Sequence, residues 1–394
     1  MKSSSGRRSF LGSAGAGLLI LRPATVFGSQ ANSALEIGLI GCGARGNLIG
    51  AMFKEYTGAR VVALHDVFAD RLEITRQKLQ AADARLYRGY EGYQELVDSK
   101  LDAVVIESPP YARPEQAAAA VSAGKHAFMA KPVAVDVWGA RLFAAAAEKA
   151  SGKLSFFTDF QFRGVEAYQE CVARLRRGDI GRPVVGHVYY HTGRLNPRHK
   201  PGEPAEAARM RNWVFDKALS GDIIVEQNIH ALDAACWMLD AAPLAAYGTG
   251  GRLVRTDVGD CWDHFVVVYW FPDDIKVDFS STQCIKGYND ICSRIYASEG
   301  TAEMHYYAST AISGSRPWQG PEKLDTHRQG TLNNIRTFVE SIRSARPLDN
   351  GAETVRSNLT AILGRTAAYR NTRVTWEEMM RSEERLELRL PRPG

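Results

Sequence analysis

Three glycines near the start of the chain have the spacing of a phosphate-binding turn. Gly41, Gly43 and Gly46 form the pattern G-x-G-x-x-G, with Ala44 and Arg45 between the second and third glycines. In such a turn the first glycine permits a tight bend, the second lets backbone approach a pyrophosphate, and the third lets a helix pack on a strand. The N-terminus of that helix offers unpaired N–H groups and partial positive charge to the phosphates. We therefore expect these five residues to bind a dinucleotide.

An acidic residue follows this turn at the distance that such a site requires. Asp66 stands 20 residues after Gly46, at the end of the β-branched run Val61–His65. A carboxylate there accepts hydrogen bonds from the adenosine ribose and repels a 2′-phosphate. The expected cofactor is therefore NAD, with NADP less favoured, although Arg71 is near enough in sequence to attract a 2′-phosphate.

Lys131 has the position and the chemistry of a residue that handles a proton. It follows a predicted strand and precedes Pro132, and open α/β sheets bind ligands at the carboxyl ends of their strands. When a dinucleotide takes a hydride from an alcohol, a base must take the hydroxyl proton and a cation or donor must hold the developing alkoxide. Lys131 could contact the hydroxyl, lower its pKa or shuttle its proton, close to the cofactor. An ordinary surface position is nevertheless the commonest one for lysine.

His230 and Glu226 are the second pair of catalytic candidates. They are four residues apart in a helical pattern, so both can face one cleft. Histidine is the likeliest base near neutral pH, and Glu226 could orient it or bind a sugar hydroxyl. A buried structural histidine is the alternative. A metal is not expected, because no third or fourth ligand has supporting spacing.

Between residues 34 and 158, apolar strand patterns alternate with helical patterns, which is typical of a doubly wound parallel sheet. The predicted strands cover 35–40, 61–65, 103–107, 126–130 and 154–158, and the predicted helices lie near 45–56, 70–82, 114–124 and 137–150.

The pattern changes after residue 158 to runs of strands with little helix between them. This change predicts an α+β domain with a large, mostly antiparallel open sheet that helices cover on one face. Strands are expected at 183–195, 244–255, 263–271, 275–283, 291–297 and 301–307, one helix over Glu226–Leu239, a helix or loop at 207–219, a polar loop at 309–327, and closing helices at 330–345 and 352–370. The predicted organisation is thus a signal at 1–31, a dinucleotide-binding domain at 34–158, a substrate and oligomerisation domain at 159–327, and closing helices with a tail at 328–394.

Residues 1–31 have the composition of an export signal. Arg7 and Arg8 form a twin-arginine pair that precedes Ser9, Phe10 and Leu11, and an apolar run rich in glycine and alanine follows. A charged region before a short apolar one is typical of a secretory signal, and the arginine pair indicates the Tat route. That route moves folded proteins, so the expected location is the periplasm or another exported compartment. A frayed basic tail is the alternative.

Composition excludes several other classes of protein. The 394 residues are 45% hydrophobic and 24% charged, which excludes a disordered chain and a disulfide-stapled miniprotein. The net charge is +5, but residues 1–31 hold four basic and no acidic residues, leaving 45 basic against 44 acidic ones. This balance gives no reason to expect a nucleic-acid partner. No segment is long and apolar enough to insert stably in a membrane, and the six cysteines, which lack metal-site spacing, are expected to be mainly buried free thiols.

Several motifs together resemble the Gfo/Idh/MocA family, which comprises glucose–fructose oxidoreductase, inositol dehydrogenase and their relatives. The resemblance extends over about residues 35–380. Beside the glycine turn, it rests on Ser108-Pro109 after the fourth predicted strand, Ala123-Gly124-Lys125-His126 before Lys131-Pro132, Gln161-Phe162-Arg163, the segment from Gly221 to Asp233, and Val374-Thr375-Trp376-Glu377-Glu378-Met379. Three positions differ from the family pattern: Ala130 replaces a usual Glu, Arg113 a frequent His, and Glu226 a usual Asp.

The resemblance implies an NAD(P)-dependent oxidoreductase that acts on a CH–OH group of a sugar or sugar derivative. It implies catalytic roles for Lys131 and His230, and cofactor contacts at Ser108 and Pro109. Arg163, His191 and Trp213 are further candidates for substrate contacts. Relatives often pair the open sheet, so a homo-oligomer, either a dimer or a tetramer, is expected.

Two other functions fit the same residues. An exported enzyme without a free NAD pool should hold its cofactor tightly and reset it in each cycle, which it could do by oxidising one sugar and reducing a second carbonyl. Redox-neutral cleavage of a glycoside would also do so, with His191 or Glu226 as the additional base. A non-catalytic protein that binds NAD or a sugar is the other alternative, since a fold does not fix a function.

Overall fold

The computed structural model describes residues 34–388 of the protein. The predicted signal at 1–31 and the last six residues lie outside this range. Within it, no helix is both long enough and apolar enough to cross a bilayer.

A parallel sheet forms the first domain, as the sequence predicted, but it has six strands where five were expected. Its strands are β1 (Glu36–Ile40), β2 (Arg60–Asp66), β3 (Arg85–Arg88), β4 (Ala103–Ile106), β5 (His126–Ala130) and β6 (Phe156–Asp159). Its helices are α1 (Ala44–Thr57), α2 (Ala69–Lys78), α3 (Gly92–Asp98), α4 (Arg113–Ser122) and α5 (Val137–Ala150). The spatial order is β3-β2-β1-β4-β5-β6. The order reverses between β1 and β4, and sheets of this kind bind ligands beyond the carboxyl ends of the strands at that point.

The sequence did not predict β3 and α3. The residues of β3 are Arg85, Leu86, Tyr87 and Arg88, and three of the four are exposed. Because β3 is an edge strand that pairs only with β2, it lacks the continuous apolar run that marks a buried parallel strand.

A nine-stranded sheet forms the second domain. It contains β7 (Pro183–Gly193), β8 (Ala245–Gly251), β9 (His264–Trp270), β10 (Lys276–Ile285), β11 (Asp290–Ala297), β12 (Gly300–His305), β13 (Thr310–Gly314), β14 (Trp318–Gln319) and β15 (Val374–Thr375). The order is β14-β13-β12-β11-β7-β10-β9-β8-β15, and every neighbouring pair except β7 with β10 is antiparallel. The predicted mostly antiparallel open sheet is confirmed.

The prediction of a loop over 309–327 was wrong. β13 and β14 lie in this segment, and Ile312 of β13 pairs with Trp318 of β14. The side chain of Ile312 is buried against the core. The polar residues and glycines around this one apolar anchor hid the strands, because no alternating run could form.

Between β6 and β8, five α-helices and two 3₁₀ turns connect or cover the second sheet, and three more helices follow before the end of the described residues. They are a 3₁₀ turn (Gln161–Gly164), α6 (Glu166–Arg176), α7 (Ala205–Arg211), a second 3₁₀ turn (Trp213–Phe215), α8 (Lys217–Ser220), α9 (Ile223–Glu226), α10 (Ile229–Leu239), α11 (Thr326–Arg343), α12 (Gly351–Arg370) and α13 (Trp376–Arg381).

The two long helices near the end of the chain pack on different sheets. In α11, Leu332, Ile335 and Phe338 are buried in the core of the first domain, where the Phe338 ring contacts those of Phe53 and Phe128. In contrast, α12 packs against β8 and β9 of the second sheet and against α5. After β14 of the second sheet, the chain therefore packs again on the first sheet through α11.

Candidate active site

The glycine turn has the geometry that its spacing predicted. Gly41 has a φ of +94°, and a Cβ there would lie 2.5 Å from the backbone nitrogen of Ser108. A Cβ on Gly46 would lie 1.9 Å from the carbonyl oxygen of Gly41. A Cβ on Gly43, at the N-terminus of α1, would meet no atom within 4 Å. The outer glycines are thus required by packing, and the middle one leaves open space where a ligand can approach.

A cavity of about 750 Å³ lies at the carboxyl ends of β1, β2 and β4. Four of the predicted cofactor residues line it: Gly41, Asp66, Ser108 and Pro109. The Asp66 carboxylate accepts hydrogen bonds from the backbone N–H groups of Cys42 at 2.8 Å and Phe68 at 2.9 Å. These bonds fix the carboxylate at the cavity wall. The cradle over Gly43 and the oriented Asp66 both fit a dinucleotide.

A second cavity, of about 230 Å³, lies at the ends of β5 and β6. It contains all three predicted catalytic residues, Lys131, Glu226 and His230. Its other lining residues are mostly polar or aromatic: Arg45, Asp159, Gln161, Tyr190, Leu195, Arg198, Trp213, Val214, Gln227, Tyr306, Tyr307 and His327. The two cavities flank the beginning of α1, with Gly41 in one and Arg45 in the other.

Lys131 projects into the smaller cavity directly after β5. Its Nζ donates a hydrogen bond to the backbone carbonyl of Glu226 and lies 3.7 Å from the Glu226 carboxylate. Burial lowers the pKa of Lys131 to about 8; Glu226 opposes this shift, and Arg113 and Arg45 add to it. A lysine with this pKa can give and take a proton near neutral pH.

Glu226 and His230 do not share one continuous helix, so the prediction of a helix over Glu226–Leu239 needs correction. Glu226 ends α9, and α10 begins at Ile229. In an unbroken helix the Glu226 carbonyl would accept from the N–H of His230, but here it accepts from Lys131. The break therefore places a lysine on the helix backbone, and both side chains still reach the same cavity.

His230 is buried beside the ring of Tyr306, with the two centroids 5.3 Å apart. Burial, and then the positive charges of Lys131 and Arg45, lower the pKa of His230 well below its usual value. Its Nδ1 has no hydrogen-bond partner within the described part of the chain. A neutral imidazole at the wall of the cavity suits hydrogen bonding to a substrate hydroxyl.

Arg45 contributes more to the smaller cavity than to the glycine turn. Its guanidinium forms ion pairs with Asp159 and, at 3.4 Å, with Glu107, and one nitrogen lies 3.3 Å from Nε2 of His327. Burial disfavours the charge of Arg45, but Glu107 and Asp159 together raise its pKa. Burial also raises the pKa of Glu107 to about 7, against the pull of Arg45.

Several residues of this cluster were not predicted from the sequence. Glu107 and Asp159 stand at the carboxyl ends of β4 and β6, which is the position that singled out Lys131, so strand ends could have identified them. Tyr306 and His327 lie on a strand end and a helix start far along the chain. No local pattern marks them.

Arg113 replaces a frequent His of the family pattern, and it lies beneath the site. Its guanidinium is buried and donates to the carbonyl oxygens of Ser108, Ala130 and Pro132. These three carbonyls belong to the segments that follow β4 and β5. Arg113 therefore joins the ends of both strands beneath the site.

Arg163, predicted as a substrate or cofactor contact, does not line either cavity. It forms a two-pronged ion pair with buried Asp233 at 2.9 Å and a second pair with Glu353 at 3.1 Å. It serves to join α10, the 3₁₀ turn before α6, and α12. Gln161, two residues earlier, reaches the cavity instead, and Trp213 lines it as predicted.

His191 was also a predicted substrate contact, and the structure contradicts this. Side chains alternate along β7, so Tyr190 faces the cavity while His191 lies on the open face, 3.1 Å from the Ser280 hydroxyl. We expect His191→Ala to leave kcat/KM unchanged within about twofold, whereas His230→Ala should lower it about 100-fold, the usual scale for a residue that assists proton transfer. Initial rates on one substrate would compare the two variants. A large loss in the His191 variant would contradict this placement.

The cysteines that the structure describes, all six of the chain, are free thiols, and five of them are buried. On the open face, Cys292, Glu303 and His305 have potential ligand atoms within 4.8 Å of one another. Glu303, however, already pairs with Arg294 at 2.7 Å. A cation at this position would compete with the arginine.

The fold and the two cavities define a class: an oxidoreductase with a dinucleotide-binding domain and a separate substrate domain. Residues 35–158 match the model of the oxidoreductase family with an NAD-binding Rossmann fold, and residues 168–303 match the GFO/IDH/MocA C-terminal domain. The protein belongs to the Gfo/Idh/MocA family and is an NAD-dependent oxidoreductase.

Two curated relatives illustrate the match. Inositol 2-dehydrogenase of Paracoccus denitrificans is 30% identical over 275 residues, which cover 68% of this chain and 74% of that protein. Myo-inositol 2-dehydrogenase of Thermotoga maritima is 24% identical, over 79% of this chain and 90% of that protein.

Solved structures share the fold. Levoglucosan dehydrogenase in complex with NADH has a TM-score of 0.71 at 15% identity, covering 87% of this chain and 99% of that one. Scyllo-inositol dehydrogenase of Lactobacillus casei, with NAD(H) and scyllo-inositol bound, has a TM-score of 0.67 at 18% identity, covering 88% and 100%.

Proposed function

We propose that the protein oxidises a ring hydroxyl of an uncharged sugar or cyclitol, transfers the hydride to a tightly held NAD, and returns it to the carbonyl group of a second sugar in the same cycle. The observation that carries this proposal is the smaller cavity, which gathers Lys131, Glu226 and His230 around one space at the strand ends. The relatives named as inositol dehydrogenases support the substrate class.

The larger cavity would hold the cofactor. Gly41, Gly43 and the N-terminus of α1 would bind the pyrophosphate, Asp66 the adenosine ribose, and Ser108 with Pro109 would border the dinucleotide. NAD supplies the hydride acceptor when it is bound. The Asp66 carboxylate favours NAD over NADP, because it would repel a 2′-phosphate.

Lys131 is the group best matched to accept the hydroxyl proton, because its pKa of about 8 is close to the working pH. The sequence predicted this role for His230, but burial keeps His230 neutral and weakly basic by lowering its pKa. His230 instead orients the hydroxyl through a ring nitrogen. Glu226 holds Lys131 through its carbonyl and carboxylate.

The lining of the cavity indicates an uncharged substrate. The positive charge of Arg45 is balanced by Asp159 and Glu107, and that of Lys131 by Glu226. Arg198 adds a further cation to the lining, so the site offers many hydrogen-bonding groups with a small excess of positive charge, and Trp213 offers a flat surface for a ring. Polyhydroxylated rings match both features.

The structure favours dehydrogenation over the two alternatives. Glycoside cleavage needs an additional base, and of the two residues predicted for it, His191 lies on the opposite face of the sheet and Glu226 is engaged with Lys131. A protein that only senses a ligand would not need a lysine with a lowered pKa in its cavity.

We also propose export by the Tat route with NAD already bound, on the basis of Arg7, Arg8 and the apolar run that follows. A homo-oligomer, either a dimer or a tetramer, would form through the open face of the nine-stranded sheet, where Tyr247 and Val266 are exposed. Apolar groups on a face of this kind favour burial against a second copy.

The test uses the full chain, expressed with its first 31 residues intact. After fractionation of the cells, the purified protein is denatured and the supernatant analysed by mass spectrometry, and fresh protein is assayed against inositols and monosaccharides. We expect exported protein with near-stoichiometric NAD and oxidation of at least one polyol. Absence of nucleotide would contradict tight retention, NADP would contradict the role of Asp66, and NAD without hydride transfer to or from any polyol would support the sensor.

A further inference from the structure

Residues 382–388, which follow α13, cross the surface of the first domain and reach the larger cavity. Residues 382–388 have no regular secondary structure. They nevertheless follow one defined path along α4 and α5, and Leu388 is among the residues that line the cavity of about 750 Å³. Chain termini are usually poorly ordered unless specific contacts tie them down.

Backbone and side-chain contacts hold this segment to the beginning of α5. The N–H of Leu386 donates to Oδ2 of Asp136 at 2.7 Å. The other oxygen of Asp136 caps α5 by accepting from the N–H of Gly139 at 2.8 Å. One buried carboxylate therefore fixes both the helix N-terminus and the C-terminal segment.

Arg385 forms the second attachment. Its guanidinium lies over the ring of Trp138, 3.8 Å from the centroid, and 3.7 Å from the carboxylate of Glu115. Glu115 itself lines the larger cavity. This attachment therefore lies at the rim of the cofactor site, three residues before Leu388.

Leu388 adds an apolar side chain to a wall that otherwise consists of residues from the first domain and from α7. Phe68, Tyr111 and Met210 line the same cavity. The polar groups of this cavity, such as Asp66, suit the ribose and phosphates, while flat or apolar groups suit a base. A leucine held at the rim would cover bound nucleotide on its solvent side.

We propose that residues 382–388 form a C-terminal strap that belongs to the NAD site, in which Leu388 covers the adenosine half of the cofactor and slows its release. The strap deepens the proposed retention of NAD and in that respect rests on the proposed function. It acts on cofactor binding, not on the chemical step.

Two truncations and a pair of point variants test the strap. One truncation ends after Arg381, and the matched control ends after Leu388, so that only the first removes the strap. Leu388→Asp places a charge in the wall, and Glu387→Ala changes its exposed neighbour. The bound nucleotide is exchanged for NADH by long incubation with excess NADH, and free nucleotide is removed by gel filtration. The dissociation rate is then measured from the change in NADH fluorescence while excess ADP-ribose traps the free site.

We expect the truncation after Arg381 and Leu388→Asp to raise the dissociation rate at least tenfold, while the truncation after Leu388 and Glu387→Ala stay within twofold of the full chain. Thermal unfolding without NAD separates this effect from loss of folding. If the truncation after Arg381 unfolds early, Leu388→Asp, which keeps the Asp136 and Arg385 contacts, decides the question.

Three results would overturn the strap. The first is an unchanged NAD dissociation rate in both strap variants. The second is tighter NAD binding after truncation, which would mean that the segment competes with the nucleotide. The third is a full effect from the truncation after Leu388. Retention of NAD by the full chain is read separately, from the nucleotide that copurifies. Its absence would contradict tight retention, while the ratio of dissociation rates would still report on the strap.

Discussion

Lys131→Ala is expected to lower kcat for polyol oxidation about 1000-fold, within the range that positioned proton-transfer groups contribute. The change removes the group that accepts the hydroxyl proton and leaves the glycine turn and Asp66 in place. NAD affinity, measured by fluorescence titration, should change far less than kcat. Lys100→Ala, which alters an exposed lysine of the same domain, is the control and should match the unmodified protein.

The pH dependence of the same reaction identifies which form of Lys131 is active. Its pKa is lowered to about 8, so the neutral amine that accepts a proton is scarce at pH 6 and predominant at pH 9. The kcat for oxidation should therefore rise about tenfold per pH unit well below the pKa and level off above it. Lys131→Arg, which keeps the charge but cannot release a proton, should lose this rise. A rate that falls above pH 8 would instead assign the charged lysine to stabilising the alkoxide.

Gly46→Ala should destabilise the fold, whereas Gly43→Ala should leave its stability unchanged. A Cβ at Gly46 would lie 1.9 Å from a carbonyl oxygen, so Gly46→Ala must displace backbone, at a cost of about 1–3 kcal/mol or more. Gly43→Ala meets no protein atom within 4 Å and has a φ of −76°, which alanine adopts freely. Its melting temperature without NAD should equal that of the unmodified protein.

Both variants should bind NAD less tightly than the unmodified protein does. Gly43→Ala projects a methyl group into the space through which the pyrophosphate approaches, so NAD affinity should fall at least tenfold although the fold is intact. Thermal unfolding with and without NAD, together with a titration, measures both effects. Normal NAD binding by Gly43→Ala would show that the phosphates do not lie over this residue.

The sequence predicted those parts of the fold whose signal is local. The buried strands β1, β4 and β5 are continuous apolar runs, and the glycine turn carries its own spacing. Edge strand β3 and the hairpin of β13 and β14 escaped prediction because partner strands, not apolar runs, stabilise them. In the same way, the Glu226 carbonyl at the break between α9 and α10 accepts from Lys131, which is 95 residues away in sequence.

The wrong predictions at the site, for His191 and Arg163, also concern residues whose positions depend on parts of the chain that are distant in sequence. Tyr190 and His191 are neighbours with similar chemistry, and only the register of β7 decides which of them faces the cavity. Arg163 looked like a ligand contact because its partner, Asp233, is 70 residues away. Conversely, Lys131 and His230 were singled out by residue type and by a predicted strand end and helix, and both line the smaller cavity.

The packing of α11 on the first sheet has a consequence for the order of events during synthesis. Leu332, Ile335 and Phe338 complete the layer that covers Phe53 and Phe128, so a nascent chain that ends at residue 158 exposes part of this apolar surface. The layer cannot close until the ribosome has passed Arg343, when most of the chain has been made. The cofactor domain thus lies early in the sequence, but its packing is completed only when most of the chain has been made. Loading of NAD would therefore be a late event in synthesis.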